Sequence, residues 1–438
     1  MDLFEMLGSD VVAEFGPRHA TLPRHYFYAS DGADQMARAL RGEVSGRSAL
    51  LFADLRTQAA ASVGCADAMR HAGWSVRELL IPDNPAGGSP VCDDITFAAL
   101  RGQIPPADLF VAVGSGVVND LVKWLAMDAG VPYAVFATAA SMNGYSAANI
   151  APSIRGVKSL LEGRAPRAIA SSPGVLARAP TRSTTAGLGD VLAKPVSTSD
   201  WRMNHLLFQE PYSATIAGII DAIEPRYLAI PESLRVGAPQ AIQSLFEALI
   251  FSGCAMTLQG SSLPASGGEH LISHTLDMFS HVDGQPHDLH GRQVGVATIF
   301  VAALYQQAVA ETRPVFVPDR VPLVRTVWGG LADAVAEQHQ KKMLRTRQAC
   351  ERLRQPGCWD ALRNELQPIL RQPAVIKECL AKAGGAHRLA DLGCSRERFL
   401  LAVQHGAAIR ARFTSLDLFF AMGLLPSRAE EMVDEWLM

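Results

Sequence analysis

The sequence predicts an α/β domain built on a parallel sheet, followed by an all-α domain. Three observations carry that expectation. From about residue 48 to 136, short apolar runs alternate with helical periodicities across tight turns, the texture of repeated β–α units. After about residue 175 long helical patterns dominate and strand candidates become few. The chain has 438 residues, too many for one ordinary core, so two or three domains are expected. The division reads as residues 1–178, with 1–45 an irregular or partly helical lead-in, and residues 179–438.

The elements follow in order. Ala49–Ala53 is a short apolar run ending at Asp54, which suits a buried parallel strand. Thr57–His71 has helical spacing and stops before Gly73. Trp74–Ile81 reads as a strand, Asp93–Arg101 as a helix and Leu109–Val113 as a third strand. That strand runs into Gly114-Ser115-Gly116 and a helix from about Val117 to Asp128. Val131–Phe136 is a fourth strand. Beyond residue 175, helices are expected over Ala238–Leu258, Glu269–Met278, Val294–Val309, Leu331–Gln348 and Arg396–Arg412. The active site is expected in the cleft between the two domains.

Composition narrows the function classes. Hydrophobic residues make up 48% and charged residues 19%, a balance that suits a packed soluble protein. A net charge of −3 gives no reason to expect nucleic acid or an anionic membrane as partner. The N-terminal segment MDLFEMLGSDVVAEFG is acidic and lacks the basic start of a signal peptide. No apolar run reaches the roughly 18 residues of a membrane span. Seven cysteines, without a CxxC pair, argue against a disulfide framework and a thiolate zinc site, and point to a reducing cytoplasm.

Two turns suggest a nucleotide. Gly114-Ser115-Gly116 lies between a buried strand and a helix, where backbone and helix N-terminus can receive a phosphate. Glycine there also has a purely steric explanation. Asp54 ends the first strand, where an acid can hold an adenosine ribose. Its alternative role is a helix N-cap.

Five of the twelve histidines fall between residues 270 and 290. His270 and His274 are four apart on one helix face. His290 opens another helix. Imidazole is the commonest ligand for zinc and its neighbours, and two imidazoles with one carboxylate make a catalytic pattern. His281 and His287 read as solvated. Asp190, in Gly187-Leu188-Gly189-Asp190, is a candidate for the carboxylate, because the glycines let its backbone approach closely.

At this point four segments resemble one family: GSGVVNDLVK (114–123), FATAASMNGYSA (136–147), GLGDVLAKPVSTSDW (187–201), and SGGEHLISHTLDM with LHGRQVG (266–278, 289–295). They are similar to the glycerol-1-phosphate dehydrogenases, within the iron-containing alcohol dehydrogenase and glycerol dehydrogenase superfamily. ARFTSLDLFFAMGLL (411–425) resembles the family's C-terminal end.

The resemblance implies a Rossmann-like first domain and the dehydroquinate synthase-like architecture. It implies NAD as cofactor, with NADP the alternative, and a divalent metal: zinc, nickel or iron. Asp54 would sit at the ribose. Gly114, Ser115 and Gly116 would hold the pyrophosphate, with Asp120 and Lys123 completing the motif. Thr138 and Ser141 would line the nicotinamide side. Asp190, His270 and His290 would bind the metal. His274 would relay a proton and Lys194 would face a substrate phosphate.

The implied reaction interconverts dihydroxyacetone phosphate and sn-glycerol 1-phosphate. A homodimer is the default assembly. One departure stands out. The family's S-x-D-G stretch here carries Asn143, which keeps hydrogen bonding near the substrate but cannot accept a proton. It leaves open a dehydrogenase for another small polyol or a hydroxyphosphonate, or a catalytically impaired homologue. A sugar-phosphate cyclase of dehydroquinate synthase type is the further alternative, disfavoured by Asp190 where that family has glutamate.

Overall fold

The computed structural model describes residues 9–15, 21–85 and 87–438. Parts of the expected lead-in, and of the acidic N-terminal segment, lie outside the described residues. Contacts divide the chain into two interleaved units: residues 1–187 with 218–261, and residues 188–217 with 262–438.

The first unit is built on a six-stranded parallel sheet. The strands are β1 (His25–Tyr28), β2 (Ser48–Ala53), β3 (Ser75–Leu80), β4 (Leu109–Gly114) and β5 (Tyr133–Ala137). Four two-residue strands follow: β6 (Asn149–Ile150), β7 (Ser153–Ile154), β8 (Val157–Lys158) and β9 (Leu161–Glu162). They pair as β6 with β9 and β7 with β8. The last strand is β10 (Ala168–Ser171). The main sheet has the order β1-β10-β5-β4-β2-β3.

β4 and β5 are buried at every position because helices cover both faces, hence their unbroken apolar runs. Met36, Leu40, Leu51, Met69, Val111 and Ala134 fill the core on one side of the sheet.

The expected β–α units form. The helical stretch begins at Leu55, passes through a π-turn at Gln58–Ser62 and continues to His71. The helix after the glycine turn spans Gly116–Ala129 and ends on Gly130, whose left-handed φ of 69° closes it. Two strands of the main sheet, and the four two-residue strands, escaped the sequence reading. β1 and the helix Gly32–Glu43 fall inside the supposed lead-in, and β10 follows the hairpins. Both strands have four residues. β1 is an edge strand, and small residues in β10 (AIAS) replace the branched side chains that usually mark a strand.

The second unit is helical. Its principal helices are Lys194–Phe208, Gly268–Asp283, His290–Ala310, Ala332–Leu353 and Arg396–Gly406. The last is shorter than expected. It stops at Gly406, Arg410 takes a left-handed φ of 61°, and a new helix begins at Ser415 under the cap of Thr414.

Two helices, Pro239–Gln259 and His290–Ala310, are long and apolar enough to cross a membrane. No such segment is expected from the sequence, because isolated polar residues interrupt both. Of their most apolar windows, 83% and 78% are buried inside the protein. They are core helices in this fold.

Candidate active site

In the sheet unit, β2 pairs with β3 on one side and β4 on the other. The chain reverses direction across the sheet there, and ligands of open parallel sheets bind at such a switch point. Phe52 lies opposite Ala112, so Asp54 and the glycine turn leave adjacent strand ends.

The two glycines of that turn have different reasons. A Cβ on Gly114 would meet Val118 Cβ at 2.6 Å, so close strand–helix packing requires it. A Cβ on Gly116 would only touch Met142 at 3.5 Å, an ordinary contact. Protein packing does not demand glycine at 116; close approach of a ligand would. Ser115 is the N-cap and makes no side-chain cap bond to the helix N–H groups.

Asp54 is an N-cap. Its Oδ1 accepts from the N–H of Arg56 (2.9 Å) and Thr57 (2.8 Å), and Thr57 Oγ1 accepts from Asp54 N. Oδ2 takes no part in the cap. Arg56 makes a two-point pairing to Asp83 at 2.7 and 3.0 Å, and its Nη1 lies 3.9 Å from Asp54 Oδ2. Thr138 stands beside the turn, donating its N–H to Gly114 O. Ser141 is half-buried, with its hydroxyl 3.5 Å from Tyr145 OH.

Asp120 and Lys123 are engaged elsewhere. Lys123 is buried and donates to the carbonyls of Gly144 (2.9 Å) and Asn149 (2.8 Å). Asp120 accepts from Ala151 N–H at 3.1 Å and Asn119 Nδ2 at 2.9 Å. Both fasten the loop that carries Asn143. That loop also lies against the helix Pro239–Gln259, where a Cβ on Gly253 would strike Asn143 O at 2.3 Å. A cavity of about 900 Å³, lined by Tyr133, Arg164 and Arg167 among others, opens at the opposite end of β5, away from the glycine turn.

The helical unit gathers the other predicted residues. Asp190 lies near the end of the helix Thr181–Leu192, His270 and His274 start Gly268–Asp283, and His290 starts His290–Ala310. Glycines bring these helices together. A Cβ on Gly189 would stand 2.1 Å from Gly291 O, and one on Gly295 3.1 Å from Gly189 Cα.

The three imidazoles form one cluster. His290 lies 5.2 Å from His270 and stacks on His274 at 5.4 Å, centroid to centroid. Asp190 Oδ1 is 3.7 Å from His270 Nε2. Two ligands on a zinc ion, at about 2.0–2.1 Å each, stand about 3.4 Å apart at the tetrahedral angle. The pair is therefore close to ligand spacing. Among the described residues no three donors are already closed into a coordination group.

Hydrogen bonding turns the ring nitrogens the right way. His270 Nδ1 lies 2.6 Å from Glu269 Oε1, a carboxylate that can only accept, so Nδ1 carries the proton. Gln293 Nε2 donates to Asp288 O, leaving Oε1 for the Ser273 hydroxyl at 3.0 Å. With its own hydrogen spent, Ser273 Oγ accepts from His290 Nδ1 at 3.1 Å. Both rings then present Nε2 as the lone-pair donor. The donor set suits zinc, nickel or iron.

Burial alone would raise the Asp190 carboxyl, but Lys194 and His270 hold it well below the usual range. It is an anion ready to ligate. Lys194 is buried, with its ammonium 3.4 Å from Asp190 and 3.3 Å from Ala265 O. The cation expected at a substrate phosphate thus neutralises Asp190. Burial pulls the His270 ring down in pKa, and its bonds to Asp190 and Glu269 more than offset that. Glu269, Ser273 and Gln293 were missed in the sequence. Their only signal is position beside or one turn from a histidine.

A family profile described as iron-containing alcohol dehydrogenase matches residues 28–180. The chain is similar to that superfamily and, within it, to the glycerol-1-phosphate dehydrogenases. It is 27% identical to glycerol-1-phosphate dehydrogenase (NAD(P)+) of Bacillus velezensis over 84% of both chains. It is 29% identical to that of Geobacillus stearothermophilus, over 92% of this chain and 93% of the relative. It is 31% identical to that of Bacillus subtilis, over 59% and 66%. Among solved structures, a glycerol dehydrogenase from Schizosaccharomyces pombe has the same fold, with TM-score 0.62 at 17% identity over 95% of this chain and 92% of that one.

Proposed function

We propose that the chain is an NAD(P)- and metal-dependent oxidoreductase that interconverts dihydroxyacetone phosphate and sn-glycerol 1-phosphate. The relatives' names supply the substrate. The observation that carries the chemistry is the convergence of Asp190, His270 and His290, with both Nε2 atoms turned out as donors.

A divalent cation bound there, zinc in our reading, would act as a Lewis acid on the substrate's C2 oxygen. The glycine turn receives the cofactor pyrophosphate and Asp54 Oδ2 the ribose, so that the nicotinamide is oriented. NAD(P)H held there would supply the hydride that reduces the ketone carbon C2, and would itself be oxidised. The C2 oxygen takes its proton from water or the His274 imidazole. Lys194 keeps Asp190 ionised, and Lys123 holds the loop that presents Asn143 to the substrate hydroxyls. We place the protein, as a homodimer, in the cytoplasm, in keeping with its seven free cysteines.

The test is NADH oxidation with dihydroxyacetone phosphate after metal reconstitution. His270→Ala should lose both bound metal and turnover. Full turnover by metal-free His270→Ala protein would end this reading.

A further inference from the structure

The turn Ser266-Gly267-Gly268-Glu269-His270 buries two carboxylates that the proposed chemistry does not touch. Glu269 is fully buried. Its Oε1 accepts from Gly267 N–H at 2.8 Å and from His270 Nδ1 at 2.6 Å. Its Oε2 has no hydrogen-bond partner. Asp200, on the helix Lys194–Phe208, is equally buried. Its Oδ2 accepts from Gly268 N–H (2.8 Å), Ser415 N–H (3.0 Å) and the Ser415 hydroxyl (3.2 Å), and its Oδ1 from Tyr305 OH.

The two acids converge. A Cβ on Gly267 would meet Glu269 Oε2 at 2.7 Å and Asp200 Oδ2 at 2.8 Å. Only glycine fits between them. Two neighbouring buried carboxylates, one with an unpartnered oxygen, oppose folding. A neutral glutamine at 269 would keep an acceptor for these donors without burying a second charge. The charge therefore calls for a reason other than stability.

The geometry supplies one. Adjacent residues on a helix normally point about 100° apart. At this helix start Glu269 instead folds back toward Gly267 and reaches the ring of its own neighbour. We propose that Glu269 is a positioning residue for His270. Its carboxylate locks the Nδ1–H tautomer, aims Nε2 at Asp190, and raises the affinity of the Asp190–His270–His290 group for a divalent cation. Asp200 holds the turn that keeps Glu269 in place. This rests on the metal reading above.

The test compares Glu269→Gln with the wild-type protein. Glutamine keeps the shape and one acceptor oxygen and loses the charge. The Zn²⁺ dissociation constant, read by competition with a chromophoric chelator, should rise roughly 10–100-fold, the usual effect of removing such a partner. The melting temperature of the metal-free protein should stay level or rise. Side-chain ¹⁵N spectra of the metal-free proteins should show the single Nδ1–H form of His270 only in the wild type.

An unchanged dissociation constant overturns the proposal. So does a lower metal-free melting temperature, or a variant that does not fold, since either marks a structural role. His270→Ala separates the two readings. If it binds Zn²⁺ as the wild type does, the metal reading itself fails. If it loses Zn²⁺ while Glu269→Gln keeps wild-type affinity, only the role of Glu269 is rejected.

Discussion

Lys123, on the helix after the glycine turn, turns its ammonium to two backbone carbonyls of the following loop. Replacing the buried ammonium in Lys123→Met leaves those half-buried carbonyls, and the Asp120 carboxylate 3.4 Å away, without their cation. Stability should fall by about 3 kcal/mol in urea denaturation. Asp54 caps the helix through Oδ1, and the proposed ribose contact would fall to Oδ2, 3.9 Å from Arg56 Nη1. Loss of the cap in Asp54→Ala should cost about 1 kcal/mol. Weaker NADH binding by the same variant, measured by fluorescence, would report the second role separately.

At the scale of elements, strands and helices with strong periodicity were legible, and so was the spacing of the histidines. β1 and β10 were not, because four residues carry too little pattern. The neighbours of the histidines were not, because a buried glutamate looks like any other until its burial is known. The glycines beside Asp190 were legible in kind but not in partner. Sequence suggested a close approach; only the fold reveals that the helix His290–Ala310 is what approaches. Gly189→Ala should therefore force the two helices apart. Overpacking of this sort costs about 1–3 kcal/mol, and metal affinity should fall with it although no ligand has changed. Native metal content in that variant would show that the crossing does not set the site.

Across the whole molecule, the buried acids make stability depend on pH. Burial and the neighbouring Glu269 push the Asp200 carboxyl up to about 7. In the unfolded chain it titrates at about 3.9. Between these values the folded protein keeps a proton that the unfolded chain releases. This contribution is fully present below about pH 4 and is lost as pH rises through 7. Asp200→Asn mimics the protonated form. Relative to the wild type, the metal-free variant should gain stability as pH rises from 5 to 7, and the difference should level off above. A difference that is flat over that range would contradict the assignment. The other groups around Asp200, namely Tyr305, Ser415, the Gly268 amide, Glu269, Arg412 and Lys342, are unchanged in the comparison.

The chain passes between its two units three times, near residues 187, 217 and 261. A single scission therefore cannot yield both units whole. A fragment ending near 178 would lack the helix Pro239–Gln259, against whose Gly253 the Asn143 loop lies. Neither unit can be exchanged as a cassette by one recombination event. Residues of both units are therefore inherited together across any single crossover.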